Sequence, residues 1–110
     1  KQYYTRNHIA IKYIDLKEFR DLPIVFGDGE SFKKFYTNLI DVNFSISEIK
    51  AFYLFESQRW DLLTKKNRTI KLPIKNYKKS LKNFIDLKDN HNFNKYKIFD
   101  YRIKNQLILK

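Results

Sequence analysis

Hydrophobic and polar positions along this chain change period several times. The opening "YYTRNHIAIKYIDL" is rich in strand formers on either side of Arg6-Asn7-His8. Asn tolerates positive φ, so this pattern predicts a hairpin. "LPIVFGDG" follows, a short apolar run ended by Gly27 and Gly29. These are the only two glycines in the chain, and they predict a backbone turn that other side chains resist. In "ESFKKFYTNLIDV" the period becomes helical: Phe32, Phe35, Tyr36, Leu39 and Ile40 share a stripe, with Lys33, Lys34 and Asn38 opposite. The spacing predicts an amphipathic helix over Phe32 to Ile40, capped by Ser31.

"FSISEIKAFYLFES" predicts a strand with Ile46, Ile49, Phe52 and Leu54 among its apolar residues, turning at Ser57-Gln58. Two shorter strands are expected over Trp60 to Leu63 and Arg68 to Leu72. Alternation puts Trp60 with Leu62 on one face, and Ile70 with Leu72 likewise. Trp60 is expected to be a core anchor that covers helix surface. Pro73 has no N–H and ends the second strand. A second helix is predicted over Asn76 to Leu87, with Tyr77, Leu81, Phe84 and Ile85 along one side. Lys75, Lys78, Lys79 and Lys82 read as its solvated face. After the polar loop "KDNHNFN", "KYKIFDYRI" alternates Phe99, Tyr101 and Ile103 against Asp100 and Arg102. That is the pattern of a half-buried antiparallel strand. A turn at Lys104-Asn105 then leads into "QLILK". The predicted fold is α+β: a mostly antiparallel sheet with two amphipathic helices on one face and its C-terminal strand at or near an edge.

At 110 residues the chain fits a single domain with one modest core, 1–110. With 43% hydrophobic residues it is too apolar to be a disordered segment. It has no cysteine, which excludes disulfides, a thiolate nucleophile and Cys-ligated zinc. No apolar run is long enough to span a bilayer. The chain opens on Lys1 without a signal-peptide pattern, as a fragment of a longer protein would. The net charge of +11 admits a basic nucleic-acid-binding module as an alternative reading. However, the excess is mostly Lys spread evenly among Asn, Ile, Phe and Tyr, the mixture an AT-rich genome encodes.

No catalytic pattern appears. His8 and His91 lie in polar, turn-like segments. H-E-x-x-H, P-loop, G-x-G-x-x-G and G-x-S-x-G motifs are all absent from the sequence. Asp28 and Glu30 flank Gly29 ahead of a helix, where acids suit the positive helix end. A metal site would want more ligands beside them. Asn43-Phe44-Ser45 and Asn67-Arg68-Thr69 match the glycosylation sequon, which has meaning only in a suitable secretory pathway. The expectation is a protein without catalytic activity, metal or cofactor.

Three segments together carry a resemblance. In "RWDLLTKKNRTIKLP", Arg59, Trp60, Asp61 and Leu62 precede a polar turn at Asn67 and a strand closing on Lys71, Leu72 and Pro73. "LPIVFGDG" contributes Leu22, Pro23, Gly27 and Gly29. "IFDYRIKNQLILK" contributes Asp100 and Arg102 ahead of a tight turn and a final strand. In this order the segments resemble the C-terminal β domain of the FtsQ/DivIB bacterial cell-division family. Asn67 stands where the family often has Gly, and Phe99 and Tyr101 replace aliphatics.

The resemblance implies a non-enzymatic divisome scaffold on the periplasmic side of the inner membrane, at the septum. A POTRA domain and a transmembrane helix would lie upstream. It implies binding of FtsB, with FtsL, by strand addition at the C-terminal edge, and other divisome proteins as further partners. Arg102, Ile103, Asn105, Gln106, Leu107, Ile108 and Leu109 are the partner-binding positions so implied. Another extracytoplasmic interaction domain of similar layout is the remaining alternative.

Overall fold

A computed structural model describes the backbone of residues 2–4 and 10–12, and residues 23–110 in full. Strand β1 (Gln2–Tyr4) pairs antiparallel with β2 (Ala10–Lys12), as in the expected opening hairpin. The predicted turn at Arg6-Asn7-His8 lies outside the described residues, as does Leu22.

The main sheet has six strands in sequence order: β3 (Ile24–Phe26), β4 (Ile49–Leu54), β5 (Trp60–Thr64), β6 (Thr69–Lys71), β7 (Ile98–Asp100) and β8 (Ile108–Leu109). It is mixed, not mostly antiparallel. β3 runs parallel to β4 and β6 parallel to β7, while the other three pairings are antiparallel. The reason is the position of the helices. α1 (Gly29–Asp41) connects β3 to β4, and α2 (Tyr77–Leu87) connects β6 to β7. A crossover helix returns the chain to the same end of the sheet, so the next strand is parallel. Both crossovers step one strand in the same direction between strands of the same sense. The right-handed rule then puts both helices on one face.

Sheet register sorts the side chains into rows. Val25, Phe52, Leu62, Ile70, Phe99 and Leu109 are successive cross-strand partners, and all join the core under the helices. α1 contributes Phe35 and Leu39, and α2 contributes Leu81 and Phe84. Phe84 meets Phe99 edge-on at 5.0 Å, and Phe35 stacks on Trp60 at 4.8 Å. Trp60 is therefore the predicted core anchor, 5% exposed. The lysines expected on the outer face of α2 are exposed, though Lys78 reaches Asp41 of α1 at 3.1 Å.

Several local expectations change. α1 begins before Ser31, because Asp28 is the cap: its carboxylate accepts from Ser31 N at 2.7 Å and from Ser31 Oγ at 2.8 Å. Those bonds hold the Asp28 carboxyl below its ordinary pKa. Tyr36 and Ile40 stay exposed, so the buried stripe of α1 is narrower than predicted. Ile46 belongs to a 3₁₀ turn, Ile46–Glu48, not to a strand. β7 stops at Asp100, so Ile103 lies beyond it and is 50% exposed. The turn residues Asn67 and Asn105 do take positive φ, 62° and 60°.

Neither glycine has positive φ. Gly27 is required for space: a Cβ there would sit 2.9 Å from Leu54 Cβ and 3.1 Å from the Trp60 ring. At Gly29, in the first turn of α1, a Cβ would meet nothing within 4 Å. Gly27→Ala is therefore expected to destabilise by about 1–3 kcal/mol through overpacking. Gly29→Ala should be neutral or stabilising by up to about 1 kcal/mol. Urea unfolding midpoints of the two variants check this.

Candidate functional site

β8 ends the strand order and pairs only with β7 in the described sheet. Lys110 and Ile98 exchange both backbone bonds, at 3.2 and 3.1 Å. Alternation along an antiparallel pair then turns the N–H and C=O of Leu109 and Leu107 away from β7. Leu107 and Leu109 pack their side chains onto the core, while Ile108, half-buried, lies across from Asp100 on the opposite face. The preceding turn is closed by Gln106 N donating to Ile103 O at 3.0 Å. Arg102, Ile103, Asn105 and Gln106 are exposed around it. All seven implied partner-binding residues thus fall on one continuous segment at the edge of the described sheet.

Behind that edge lies a feature the sequence did not announce. One register step from the apolar row, the cross-strand partners are Phe26, Tyr53, Asp61, Lys71, Asp100 and Ile108. This row faces away from the helices. Phe26 and Tyr53 stack at 4.9 Å at one end. Its middle is charged, and the two acids are nearly buried, Asp61 at 7% and Asp100 at 5%. Arg59 hydrogen-bonds to Asp61. Arg102 grips Asp100 through Nε at 2.9 Å and Nη2 at 2.6 Å, and its backbone N–H donates to the same carboxylate at 3.0 Å. Lys71 stands between the acids and favours the ionised form of each.

The two acids respond oppositely. Arg102's hydrogen bonds hold Asp100 below its ordinary pKa, against the cost of burial. At Asp61 burial outweighs Arg59 and pushes the carboxyl up. The consequence for the edge is positional. Arg102 carries its charge on a fork fixed to β7, beside the turn that leads into β8.

The fingerprint residues therefore divide in two. Trp60, Leu62 and Leu72 enter the core, Gly27 makes room beneath Trp60, Asn67 makes the hairpin turn, and Pro73 follows β6. Arg59, Asp61, Asp100 and Arg102 converge on the charged row. Lys71, also part of the fingerprint, joins the same row, as its place one residue before Leu72 requires. Arg68 was missed. It is buried, donating to Lys88 O and Asn94 Oδ1, each at 3.0 Å, and so closes the end of α2.

The family model for the C-terminal region of cell division protein FtsQ/DivIB matches residues 6–102. The chain belongs to the FtsQ/DivIB family. No curated protein matches it. The family match covers β5, β6, the charged residues Asp61, Lys71 and Asp100 and both helices, and reaches Arg102. Membership in the FtsQ/DivIB family makes this a cell-division domain of a non-catalytic scaffold family that acts at the division septum.

Because Asp100 is depressed when folded, the stability it confers is full above its unfolded pKa, about 3.9, and is lost as pH falls through the lower folded value. Asp61 has the opposite sign: it opposes folding as pH rises past its unfolded value. Arg102→Ala should cost about 1 kcal/mol at neutral pH, a figure held down because the guanidinium side is 45% exposed. The difference from the unaltered chain should shrink as pH falls through the depressed folded value and Asp100 protonates. Chemical unfolding across pH 2–7 reads both.

Proposed function

We propose that this domain recruits FtsB, together with FtsL, by accepting a strand of FtsB along β8. The observation that carries the reading is the edge itself. β8 is the last strand of the sheet, holds no proline, and turns the backbone of Leu107 and Leu109 outward. An edge of this kind is a hazard unless it is covered or used. In strand addition, main-chain bonds supply attachment and side-chain complementarity supplies register. Here the incoming strand would lie beside Ile108 on one face and the apolar row on the other. Arg102 and Ile103 offer a fixed cation and an exposed apolar side chain at the entrance, with Asn105 and Gln106 completing the turn.

The same reading places the domain on the periplasmic side of the inner membrane, following a POTRA domain and a transmembrane helix. No helix among the described residues is long and apolar enough to cross a membrane, so anchoring would belong to that helix. Other divisome proteins remain further partners in this scheme.

Leu107→Pro removes one outward N–H without touching a bond to β7. It is expected to weaken binding of the periplasmic FtsB segment at least about tenfold, while circular dichroism stays unchanged. Ile108→Asp should do the same by setting a carboxylate where the partner strand must pack. Titration calorimetry with the FtsB segment checks both, and full affinity in a folded Leu107→Pro variant would exclude strand addition at β8.

A further inference from the structure

The far end of the sheet from the Ile103–Gln106 turn holds a cavity of about 140 Å³. It opens where β4 begins and the β5–β6 hairpin turns. The register of β4 slips between Ile49 and Ala51, the sign of a bulge. A bulge bends the strand and re-aims its side chains. Phe44, Ile49 and Phe84 form the apolar floor, and Lys65, Lys66 and Arg68 stand around it.

The charges at the mouth are unbalanced. Its two acids are already engaged: Glu48 bonds Lys88 at 2.9 and 3.0 Å, and Asp89 lies 3.5 Å from the same ammonium. Arg68, 5% exposed, has only neutral acceptors, Lys88 O and Asn94 Oδ1. Lys65 and Lys66 are exposed and have no ion-pair partner among the described residues. An apolar hole beneath a cationic rim suits a ligand that is apolar at its tip and anionic at its shoulders. The size is decisive between ligand types: a dry cavity of about 150 Å³ admits one benzene ring, and this one is close to that. A lipid head group would bring its phosphate to the deepest point, where Phe44, Ile49 and Phe84 offer no partner.

We infer that this cavity is a second docking site, which receives one large apolar side chain of a partner polypeptide flanked by Asp or Glu. Lys65 and Lys66 meet the carboxylates, and Phe44, Ile49 and Phe84 hold the side chain. The site lies at the other end of the strands from the Ile103–Gln106 turn and no residue of β8 lines it, so either can fail without the other.

The test uses the ¹⁵N-labelled 110-residue chain and the blocked tripeptides Glu-Phe-Glu, Glu-Ala-Glu and Lys-Phe-Lys. Glu-Phe-Glu should shift the amides of Ile49, Thr64 and Arg68, and bind at least about tenfold more tightly than either control. The double variant Lys65→Glu, Lys66→Glu alters only exposed turn residues and should lower that affinity by a similar factor. Equal binding by Lys-Phe-Lys, or shifts centred on Leu107–Leu109, would overturn the inference. So would perturbation of the cavity amides by anionic phosphatidylglycerol vesicles but not by Glu-Phe-Glu.

Discussion

The stacking of Trp60 on Phe35 joins the first helix to the centre of the sheet. Their ring centroids are 4.8 Å apart and nearly parallel. Phe32 and Phe52 meet the same indole from two sides, and Gly27 passes beneath it with no room for a Cβ. Phe35 also contacts Tyr77, the first residue of α2, whose hydroxyl accepts from Asn38 of α1. One aromatic cluster thus sets both crossovers against the sheet. Offset and edge-on pairs of this kind add to the burial they accompany. With α1 and α2 both committed to one face, the other face of the sheet is left for polar side chains.

That second face explains why the charged fingerprint residues recur together. Asp61 and Asp100 are read from sequence as outward, polar positions, and they are outward from the helices. Yet both are nearly buried, because Arg59, Lys71 and Arg102 close over them. A buried carboxylate is costly without a cation, and here each acid of the row keeps one beside it, Arg59 at Asp61 and Arg102 at Asp100. At the edge, the same pairing fixes the Arg102 guanidinium on Asp100, beside the turn that leads into β8.

Much of this was legible in the sequence because it is local. The periodicity of Phe35, Leu39, Leu81 and Phe84 marked the helices, and alternation marked Trp60 with Leu62 and Ile70 with Leu72. Asn67 and Asn105 announced their turns by being the residues that tolerate positive φ. What was not legible is non-local. Alternation says which face a residue takes, not which strand lies beside it, so the two parallel pairings escaped. The Asp28 cap escaped because Ser31, three residues on, is an equally good capping type and in fact serves as its donor. The edge segment from Arg102 to Leu109 came from family likeness, and the family match itself ends at Arg102. β8 lies beyond that match, paired with β7 alone in the described sheet.

Hydrogen exchange of individual amides along β8 probes the central claim most directly. Leu107 and Leu109 direct their N–H groups away from β7, whereas Ile108 and Lys110 donate inward. In the free domain the first pair should exchange far faster than the second. Addition of the periplasmic FtsB segment should protect Leu107 and Leu109 and leave the alternation of the inward pair intact. If FtsB binds and those two amides continue to exchange at their free rates, the partner docks elsewhere and strand addition at β8 is wrong.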